Sequence, residues 1–429
     1  MLTSAIIDCD PGCDDVLALL LALTAPKLDV VAYIPQFGNT DVDAAYRNIL
    51  KLYGVMDAHL KACPEEIERF PAFKRHIQAK RKPLLVKGAA GPVSGAVHTA
   101  KYFHGADGLG NITTLYGDSI PLPTEESLSH LLSFDHSGRQ GYKAILDILQ
   151  DCPDGTVTYI ALGPLTNLAL ALREDAALFK RKVGLVSIMG GALDVPGNTS
   201  PVAEFNVYAD ATAANEVFSH SSSLPIYLLP LDVTSTHLLP WSQYTSFVDP
   251  SFPSPAPASS LSPLTRFTSS FLRHTQEVMA QYGKSAMELH DPLAVYLAMH
   301  YTPSPSASGS TTSSAGPNLV QLTDEWHVEK REFVVEDTGK YTLGMCVVDR
   351  RRISTKNEKE KGRSRAEIQE ELDRRENQKS EPFAQARVQV DEPQQAQSKQ
   401  AKGVNVVVDT PGSDRLLKDM LRLIWGVSQ

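Results

Sequence analysis

Four aspartates fall within eight residues near the N-terminus, in the stretch IIDCDPGCDD: Asp8, Asp10, Asp14 and Asp15. Neighbouring carboxylates raise one another's pKa and oppose folding unless a positive charge offsets them. A divalent cation supplies that charge, and hard cations such as Ca²⁺ and Mg²⁺ prefer oxygen ligands. Capping of a helix N-terminus also favours acidic side chains, but it accounts only for the last two of the four aspartates. We therefore predict a cation site at this turn.

Cysteine ligands are a second way to build a metal site here, because Cys9 and Cys13 flank the aspartates. Soft thiolates select different metals from carboxylates, and carboxylates dominate the stretch. The five cysteines of the chain are odd in number and show no paired CxxC spacing. We expect reduced, mostly buried thiols.

The elements that must position the aspartates follow an alternating pattern. Apolar, β-branched runs alternate with helical periodicity through the first half of the chain, which is typical of a largely parallel sheet. Strands are predicted at residues 5–7, 28–34, 84–86, 156–162, 183–189, 225–229, 326–336, 341–348 and 404–408, and helices at 16–23, 41–55, 140–151, 210–219, 264–282 and 414–425. Residues 64–83 are expected to form a surface loop with a short helix. The pattern predicts an α/β fold.

Three biased segments interrupt this pattern. Residues 249–263 and 302–317 are rich in Ser, Pro and Thr, and residues 350–402 are rich in Arg, Lys, Glu and Gln. Such segments bury too little apolar surface to offset the entropy of ordering them, so we predict surface insertions. A strand and an amphipathic helix follow the last insertion. The whole chain, 1–429, is therefore predicted to form one domain.

Composition excludes several classes of function. The formal net charge is −9, and the basic residues do not gather into a groove, so no nucleic-acid partner is expected. The longest apolar run, residues 16–23, is far shorter than the roughly 20 residues that span a bilayer. No basic and apolar secretory leader is recognisable, so we expect a cytoplasmic protein that does not enter a membrane.

Further polar residues follow the predicted strands, where ligands bind in open parallel sheets. They are Asn39, Asn198, Glu204, Asn206, His290 and Asp291. Amides and carboxylates hold the vicinal hydroxyls of a sugar, and no Ser–His nucleophile pair or phosphate-binding Lys accompanies them. A sugar bound at a hard cation suits metal-assisted hydrolysis of a glycosidic bond, whose developing positive charge carboxylates stabilise. Each Asn taken singly is equally explained as a turn residue that bonds its own backbone.

Six motifs occur in an order that resembles the nucleoside hydrolase family of inosine/uridine-preferring nucleoside N-ribohydrolases. They are DCDPGCDD at 8–15, GN at 38–39, GPLTN at 163–167, MGG at 189–191, AEFN at 203–206 and HDP at 290–292. The resemblance extends from the first strand to the last helix and leaves out only the three insertions. It implies a single open α/β domain with a mixed, mainly parallel sheet flanked by helices, assembled as a homodimer or homotetramer.

The resemblance also implies roles for individual residues. The Ca²⁺ ligands would be Asp10, Asp15, Asp291 and the backbone carbonyl of Leu162, and Asp10 would be the general base toward the attacking water. The ribose hydroxyls would be held by Asp14, Asn39, Glu204 and Asn206, with Asn198 near the 5′-hydroxyl. Asp8 would orient its neighbours.

Two histidines complete the implied site. His290 would lie near the leaving base and protonate it, although a capping or packing role before Asp291 also explains it. His104, in the Gly-rich stretch HGADGLGN, would belong to a mobile loop that covers the nucleoside. Base contacts are expected from residues 98–111 and 232–248. The chain departs from the family at the 350–402 insertion and at 191–198, which differs by about one residue from some members.

Two other functions stay open on the sequence alone. A haloacid-dehalogenase-like phosphatase also carries an Asp-x-Asp pair after its first strand and also binds a cation. A protein that binds Ca²⁺ and ribose or a nucleoside without catalysis would carry the same residues. The resemblance favours Ca²⁺-dependent hydrolysis of ribonucleosides to ribose and base, in nucleoside salvage.

Overall fold

The acidic turn connects a buried strand to a buried helix. In the computed structural model, strand β1 (Thr3–Cys9) ends just before it and helix α1 (Cys13–Thr24) starts within it. The helix begins at Cys13 because the extended Gly12 precedes it and the Asp15 carboxylate accepts the Gly12 N–H at 3.0 Å. Almost every residue of α1 is buried, so the turn is fixed at both ends.

The structure describes residues 2–254, 260–301, 322–323, 325–349 and 401–427. Residues 1–347 and 401–429 form one compact unit, and residues 348–400 belong to another that lies almost wholly outside the described residues. The predicted insertion at 302–317 and residues 350–400 of the predicted insertion at 350–402 are likewise outside them. The last two residues of the latter belong to a strand that starts at residue 401.

The described residues form one ten-stranded sheet and a separate strand pair. The strands after β1 are β2 (Leu28–Pro35), β3 (Leu84–Leu85), β4 (Ser133–Phe134), β5 (Val157–Ala161), β6 (Val183–Met189), β7 (Ile226–Leu229), β8 (Leu238–Pro240), β9 (Ala286–Glu288), β10 (His327–Val335), β11 (Cys346–Val348) and β12 (Ala401–Asp409). The sheet order is β11-β10-β12-β7-β6-β5-β1-β2-β3-β4, and β8 pairs with β9. The pairs from β12 to β4 are parallel and the β10–β12 pair is antiparallel, which confirms the predicted mixed, mainly parallel sheet.

Helices flank this sheet. After α1 they are α2 (Val42–Ala62), α3 (Pro71–Gln78), α4 (Lys101–His104), α5 (Ile112–Leu115), α6 (Glu125–Leu128), α7 (Gly141–Asp151), α8 (Thr166–Lys182), α9 (Phe205–Ala209), α10 (Ala211–Ser219), α11 (Leu231–Thr234), α12 (Trp241–Phe247), α13 (Pro263–Gln281), α14 (His290–His300) and α15 (Ser413–Trp425). A 3₁₀ helix spans Pro64–Arg69. The single α/β architecture agrees with the prediction.

Sheet register brings distant turns together. Because β1 lies between β2 and β5 in parallel, the turns that follow these strands meet at one edge of the sheet. The Leu162 N–H donates to the Asp8 carbonyl at 2.8 Å, which ties the turn after β5 to the acidic turn. Helix α14 packs against α1 and β6, and the Ser187 hydroxyl donates to the Ala294 carbonyl at 2.9 Å. The start of α14 therefore arrives at the same edge.

The structure differs from the predicted elements in several places, including residues 64–83, 249–263 and 341–348. Residues 64–83 hold a 3₁₀ helix and α3 instead of a loop with one short helix. The strand predicted at 341–348 shortens to β11, because a turn occupies residues 340–344. The predicted insertion at 249–263 starts too early, since Asp249 and Phe252 are buried. The Asp249 carboxylate accepts hydrogen bonds from the Ser251 and Ser269 hydroxyls, which holds this segment on the core.

The cysteines and helices also bear on the expectations from composition. All five cysteines are free, and Cys9, Cys13 and Cys346 are buried. Across the described ranges, no helix combines the length and the apolar character that crossing a membrane requires.

The packing of residue 252 yields a stability prediction. Its ring lies 5.8 Å from that of Trp241 and 5.0 Å from that of Tyr244, and it is 4% exposed. We expect Phe252→Ala to lower the free energy of unfolding by about 3 to 5 kcal/mol, since it leaves a cavity. Chemical denaturation measures this, with Tyr341→Ala as the control because Tyr341 is 82% exposed and its loss should cost less than about 0.5 kcal/mol. Equal effects of the two substitutions would contradict packing of this segment.

Candidate active site

Three carboxylates from two elements converge at the sheet edge. Asp14 and Asp15, in the first turn of α1, and Asp291, in the first turn of α14, each offer an oxygen within 4.8 Å of the others. Asp15 and Asp291 are buried, and Asp14 is partly exposed. Residues 276 positions apart in the chain therefore form one acidic group, as a cation site requires.

Asp10 lies beside this group and is fully buried. Its N–H donates to Asp15 Oδ1 at 3.2 Å, and its Oδ2 accepts the Asn39 N–H at 2.7 Å. Its Oδ1 has no hydrogen-bond partner although it is buried. A Cβ at Gly38 would lie 1.9 Å from Asp10 Oδ2, and one at Gly163 would lie 2.7 Å from Oδ1. Both turns need glycine for the carboxylate to fit.

The electrostatics show how costly this arrangement is without a positive charge. Burial raises the pKa of Asp15 to about 7, with the charge of Asp14 adding to it. Burial and the charge of Asp15 raise the pKa of Asp10 well above its usual value, and burial with the surrounding aspartates does the same for Asp291. An all-oxygen donor set with an unpartnered buried Oδ1 fits a hard divalent cation, which would offset these charges.

Asp8 supports the turn from the interior. Its Oδ1 accepts the side-chain N–H groups of Gln36 and Asn167, each at 2.9 Å, and its Oδ2 accepts the Tyr159 hydroxyl at 2.6 Å. Burial raises its pKa to about 7, against the lowering effect of the bonds from Tyr159 and Asn167. Asp8 therefore braces β1 against the turns after β2 and β5, and faces no substrate.

The amides predicted at the sugar site are already engaged with the acidic group and its frame. Asn39 Nδ2 donates to Asp15 Oδ2 at 2.9 Å, so one asparagine binds two aspartates. Asn206 Nδ2 donates to the Leu162 carbonyl at 2.7 Å. That carbonyl, a predicted cation ligand, keeps a second lone pair.

Glu204 and Asn198 shape the turn before α9. The buried Glu204 carboxylate accepts the N–H groups of Gly191, Asn206 and Val207 at 2.7 to 3.0 Å, and burial raises its pKa. Asn198 Oδ1 accepts the Phe205 N–H at 2.9 Å. Both side chains therefore order the backbone that faces the cavity.

The two predicted histidines lie on the cavity with defined partners. His104 Nδ1 accepts the Cys13 N–H at 3.3 Å, and burial lowers the pKa of His104 to about 4, so its neutral ring carries the proton on Nε2. His290 contacts the Thr234 hydroxyl through Nδ1 at 2.8 Å and Glu288 through Nε2 at 3.2 Å. Burial raises the pKa of Glu288, but the bonds and charges of His290 and Lys284 outweigh it and lower this pKa to about 2.

A cavity of about 630 Å³ opens over these residues, a size that suits a small organic ligand. Its lining includes nine predicted site residues: Asp14, Asn39, His104, Leu162, Asn198, Glu204, Asn206, His290 and Asp291. Asp10 and Asp15 are not lining residues and lie fully buried behind them. Both predicted base-contact segments also reach the cavity, through residues such as Phe103 and Thr236.

One wall of the cavity was missed by the sequence reasoning. It comes from the end of α13 and from β9 and contains Met279, Tyr282, Lys284, Met287 and Glu288. No motif marks these residues. The one sequence signal that could have indicated them is their position shortly before the HDP motif at 290–292. Asp232 falls within the predicted base-contact segment 232–248, but its carboxylate accepts the Leu193 and Asp194 N–H groups at 2.9 and 2.7 Å and so holds the loop before Asn198, a role that the sequence did not indicate.

Comparison with known proteins gives a consistent result. A family model described as "Inosine-uridine preferring nucleoside hydrolase" matches residues 5–379. Uridine nucleosidase 1 of Arabidopsis thaliana is 33% identical over 222 residues, which cover 52% of this chain and only 54% of that protein. The pyrimidine-specific ribonucleoside hydrolase RihA of Enterobacter sp. is 30% identical over 345 residues, or 80% of this chain and 87% of RihA.

A solved structure supports the fold. An inosine-guanosine nucleoside hydrolase covers all of this chain, and is itself covered in full, with a TM-score of 0.65 and 24% sequence identity. The resemblance predicted from the six motifs is confirmed. The family model matches most of the residues, and a relative that is 30% identical aligns with 80% of the chain. This protein therefore belongs to the inosine-uridine preferring nucleoside hydrolase family, the ribonucleoside hydrolases that cleave N-glycosyl bonds.

Proposed function

We propose that this chain is a Ca²⁺-dependent ribonucleoside hydrolase that releases ribose and free base in nucleoside salvage. The observation that carries the proposal is the acidic group of the partly exposed Asp14 and the buried Asp15 and Asp291, with the buried Asp10 beside it, at the floor of a ligand-sized cavity. We also propose a cytoplasmic protein that assembles as a homodimer or homotetramer, as the family resemblance implies.

The cation would be held by Asp10, Asp15, Asp291 and the Leu162 carbonyl. The position of Asp14 within 4.8 Å of Asp15 and Asp291 makes it a further candidate ligand beside its role toward ribose. When bound, the cation supplies positive charge that stabilises the carboxylates and makes a nearby water more acidic. This role explains why folding tolerates so many buried carboxylates.

Asp10 is the general base toward the attacking water. Its Oδ1 is buried and free of hydrogen-bond partners, whereas its Oδ2 is fixed by the Asn39 N–H. A carboxylate held at one oxygen and open at the other can take a proton without reorienting. The proton of the water passes to Oδ1 as the water oxygen bonds to C1′ of the ribose.

Departure of the nucleobase from C1′ leaves positive charge on the ribose ring. Asp14, Asn39, Glu204 and Asn206 line or frame the cavity where the hydroxyls bind. The acidic floor stabilises the oxocarbenium-like transition state, because carboxylates that already lie there need no reorientation as the charge develops.

The leaving base takes a proton from His290. Both ring nitrogens of His290 have partners, Thr234 and Glu288, so the ring is oriented before substrate binds. Glu288 and Lys284 line the same cavity as His290. A nucleobase that enters beside His290 replaces Glu288 as the partner of Nε2 and accepts the proton on one of its own ring nitrogens.

A panel of nucleosides tests both the proposed hydrolysis and the role of Asp10 as general base. We expect release of base from at least one of uridine, cytidine, inosine, guanosine, adenosine and nicotinamide riboside, and a fall of about 10²- to 10⁴-fold in Asp10→Asn with the fold retained. Chromatography of the free base measures both, and Asp118→Asn on the exposed surface is the control. Turnover of p-nitrophenyl phosphate without turnover of any nucleoside would identify a phosphatase. Nucleoside binding without turnover would identify the inactive binding protein.

Cation removal gives a stability prediction with a defined pH dependence. The folded-state pKa of Asp15, about 7, exceeds its unfolded value of about 3.9, so protonation stabilises the cation-free protein below pH 4 and this stability is lost as pH rises through 7. We expect the melting temperature in chelator to fall between pH 5 and pH 8, and added Ca²⁺ to raise it most at pH 8. Differential scanning fluorimetry measures this. A Ca²⁺ effect that is equal at both pH values, or absent, would contradict the site.

An activated leaving group isolates the role of His290. p-Nitrophenyl riboside releases a stable anion and needs no proton, whereas a nucleoside base does. We expect His290→Gln to slow nucleoside hydrolysis by about 10²-fold or more and to leave p-nitrophenyl riboside hydrolysis nearly unchanged. Equal losses on both substrates in steady-state assays would assign His290 a binding role instead.

A further inference from the structure

Helix α2 carries a buried lysine that the proposed reaction does not use. Lys51 is 2% exposed, and its Nζ contacts Thr113 Oγ1 at 2.5 Å, Asn48 Oδ1 at 3.5 Å and Asp107 Oδ2 at 3.8 Å. A buried ammonium group is costly unless charged and hydrogen-bonded partners compensate it. All but one of these partners belong to the segment that follows His104, so Lys51 lies against that segment.

Asp107 organises this segment, residues 104–113, which we call the His104 loop. Its carboxylate accepts the N–H groups of Leu109, Asn111 and Thr113 at 2.8 to 2.9 Å and the Thr113 hydroxyl at 2.6 Å. Burial raises the pKa of Asp107, but these bonds and the charge of Lys51 outweigh it and lower the pKa. The loop is therefore closed around one ionised side chain that pairs with one buried cation.

The His104 loop is also fastened to the acidic turn. Asn48 Nδ2 donates to the Pro11 carbonyl at 2.9 Å and to the Asp107 carbonyl at 2.7 Å, and Thr40 Oγ1 donates to the Ala106 carbonyl at 2.9 Å. Gly108, at φ +81°, lets the loop approach the acidic turn, since a Cβ there would lie 3.1 Å from the Pro11 carbonyl oxygen and about as close to Thr40 and Asn48. The loop and the turn therefore hold one geometry.

These contacts fix the ring of His104. Gly110 N–H donates to the His104 carbonyl at 2.7 Å, and the Cys13 N–H donates to His104 Nδ1 at 3.3 Å. An imidazole that accepts at Nδ1 and is neutral carries its proton on Nε2. Because His104 lines the cavity, this tautomer offers a hydrogen-bond donor at Nε2 there, and the Cys13 N–H favours it while the loop keeps Nδ1 in place.

We propose that Lys51 and Asp107 are positioning residues, which hold His104 in the Nε2–H tautomer so that it donates to an acceptor atom of the bound nucleoside. The inference rests on the proposed function, in which His104 contacts the substrate. It adds to the expectation of a covering loop the contacts that link this loop to α2 and to the acidic turn.

Two substitutions test the proposal by kinetics. We expect Lys51→Met to lower kcat/KM for the best nucleoside by about 10- to 100-fold, mainly through KM, because a displaced donor weakens substrate binding. Thr113→Val removes one hydroxyl from an exposed residue and keeps the ammonium group of Lys51, so it perturbs folding less than Lys51→Met, and it should lower kcat/KM by about fivefold. Lys61→Met is the matched control, since Lys61 lies on the same helix and pairs with Asp57 at the surface. It should match the wild type.

Two further measurements separate positioning from general destabilisation. Lys51→Arg keeps the cation and should recover part of the activity. The rise of melting temperature with Ca²⁺ should stay at the wild-type value in all variants, because the partners of Lys51 are Asn48, Thr113 and Asp107 and none of them is a proposed cation ligand. ¹⁵N NMR of the histidine rings, with His104→Gln for assignment, should show unprotonated Nδ1 in the wild type and a tautomer mixture in Lys51→Met and Thr113→Val.

The kinetic and NMR results together decide whether Lys51 and Asp107 position His104. Wild-type kcat/KM together with an unchanged His104 signal in Thr113→Val and Lys51→Met would overturn it, as would a protonated Nδ1 in the wild-type protein. If Lys51→Met does not fold, Thr113→Val decides alone. A wild-type protein that hydrolyses no nucleoside would refute the proposed function instead, and the NMR signals would still decide whether Lys51 and Asp107 set the tautomer.

Discussion

Repulsion among buried carboxylates is the constraint on which this structure depends. Asp15 and Asp291 each place an oxygen within 4.8 Å of the other and of Asp14, and the Asp10 N–H donates to Asp15. Asp10, Asp15 and Asp291 are buried, and burial with mutual charge raises the pKa of all three. A fold keeps such a group only if the surrounding framework is rigid and a positive charge enters. The residues around these carboxylates form that rigid framework.

The framework is built mainly from neutral donors. Asn39 binds Asp10 and Asp15 at once, and Asp8 is held by Gln36, Asn167 and Tyr159. Backbone N–H groups and amides orient a carboxylate without adding a positively charged side chain that would compete with the proposed metal ion. The cationic side chain of Lys51 is used one layer further out, where it closes the His104 loop.

The proposed function divides specificity between the floor and the walls of the cavity. The floor and the turn before α9 consist of residues from motifs, which suit a ribose common to all substrates. The walls combine charged and apolar side chains: Lys284, Glu288 and His290 on one wall, and Phe103 on another side. A hydrolase can thus keep one reaction while its preference for the base changes, because different residues carry the two tasks.

The sequence alone determined the parallel sheet and the list of polar residues at its edge, because apolar alternation and turn motifs are local patterns. It also located the acidic turn, since four aspartates in eight residues need no tertiary contact to be noticed. Tertiary structure decided what each residue touches: that Asp14 joins Asp15 and Asp291, that Glu204 caps a backbone turn, and that Phe252 belongs to the core. These facts depend on packing between segments far apart in the chain, such as α1 against α14, and no local pattern encodes a distance across the fold.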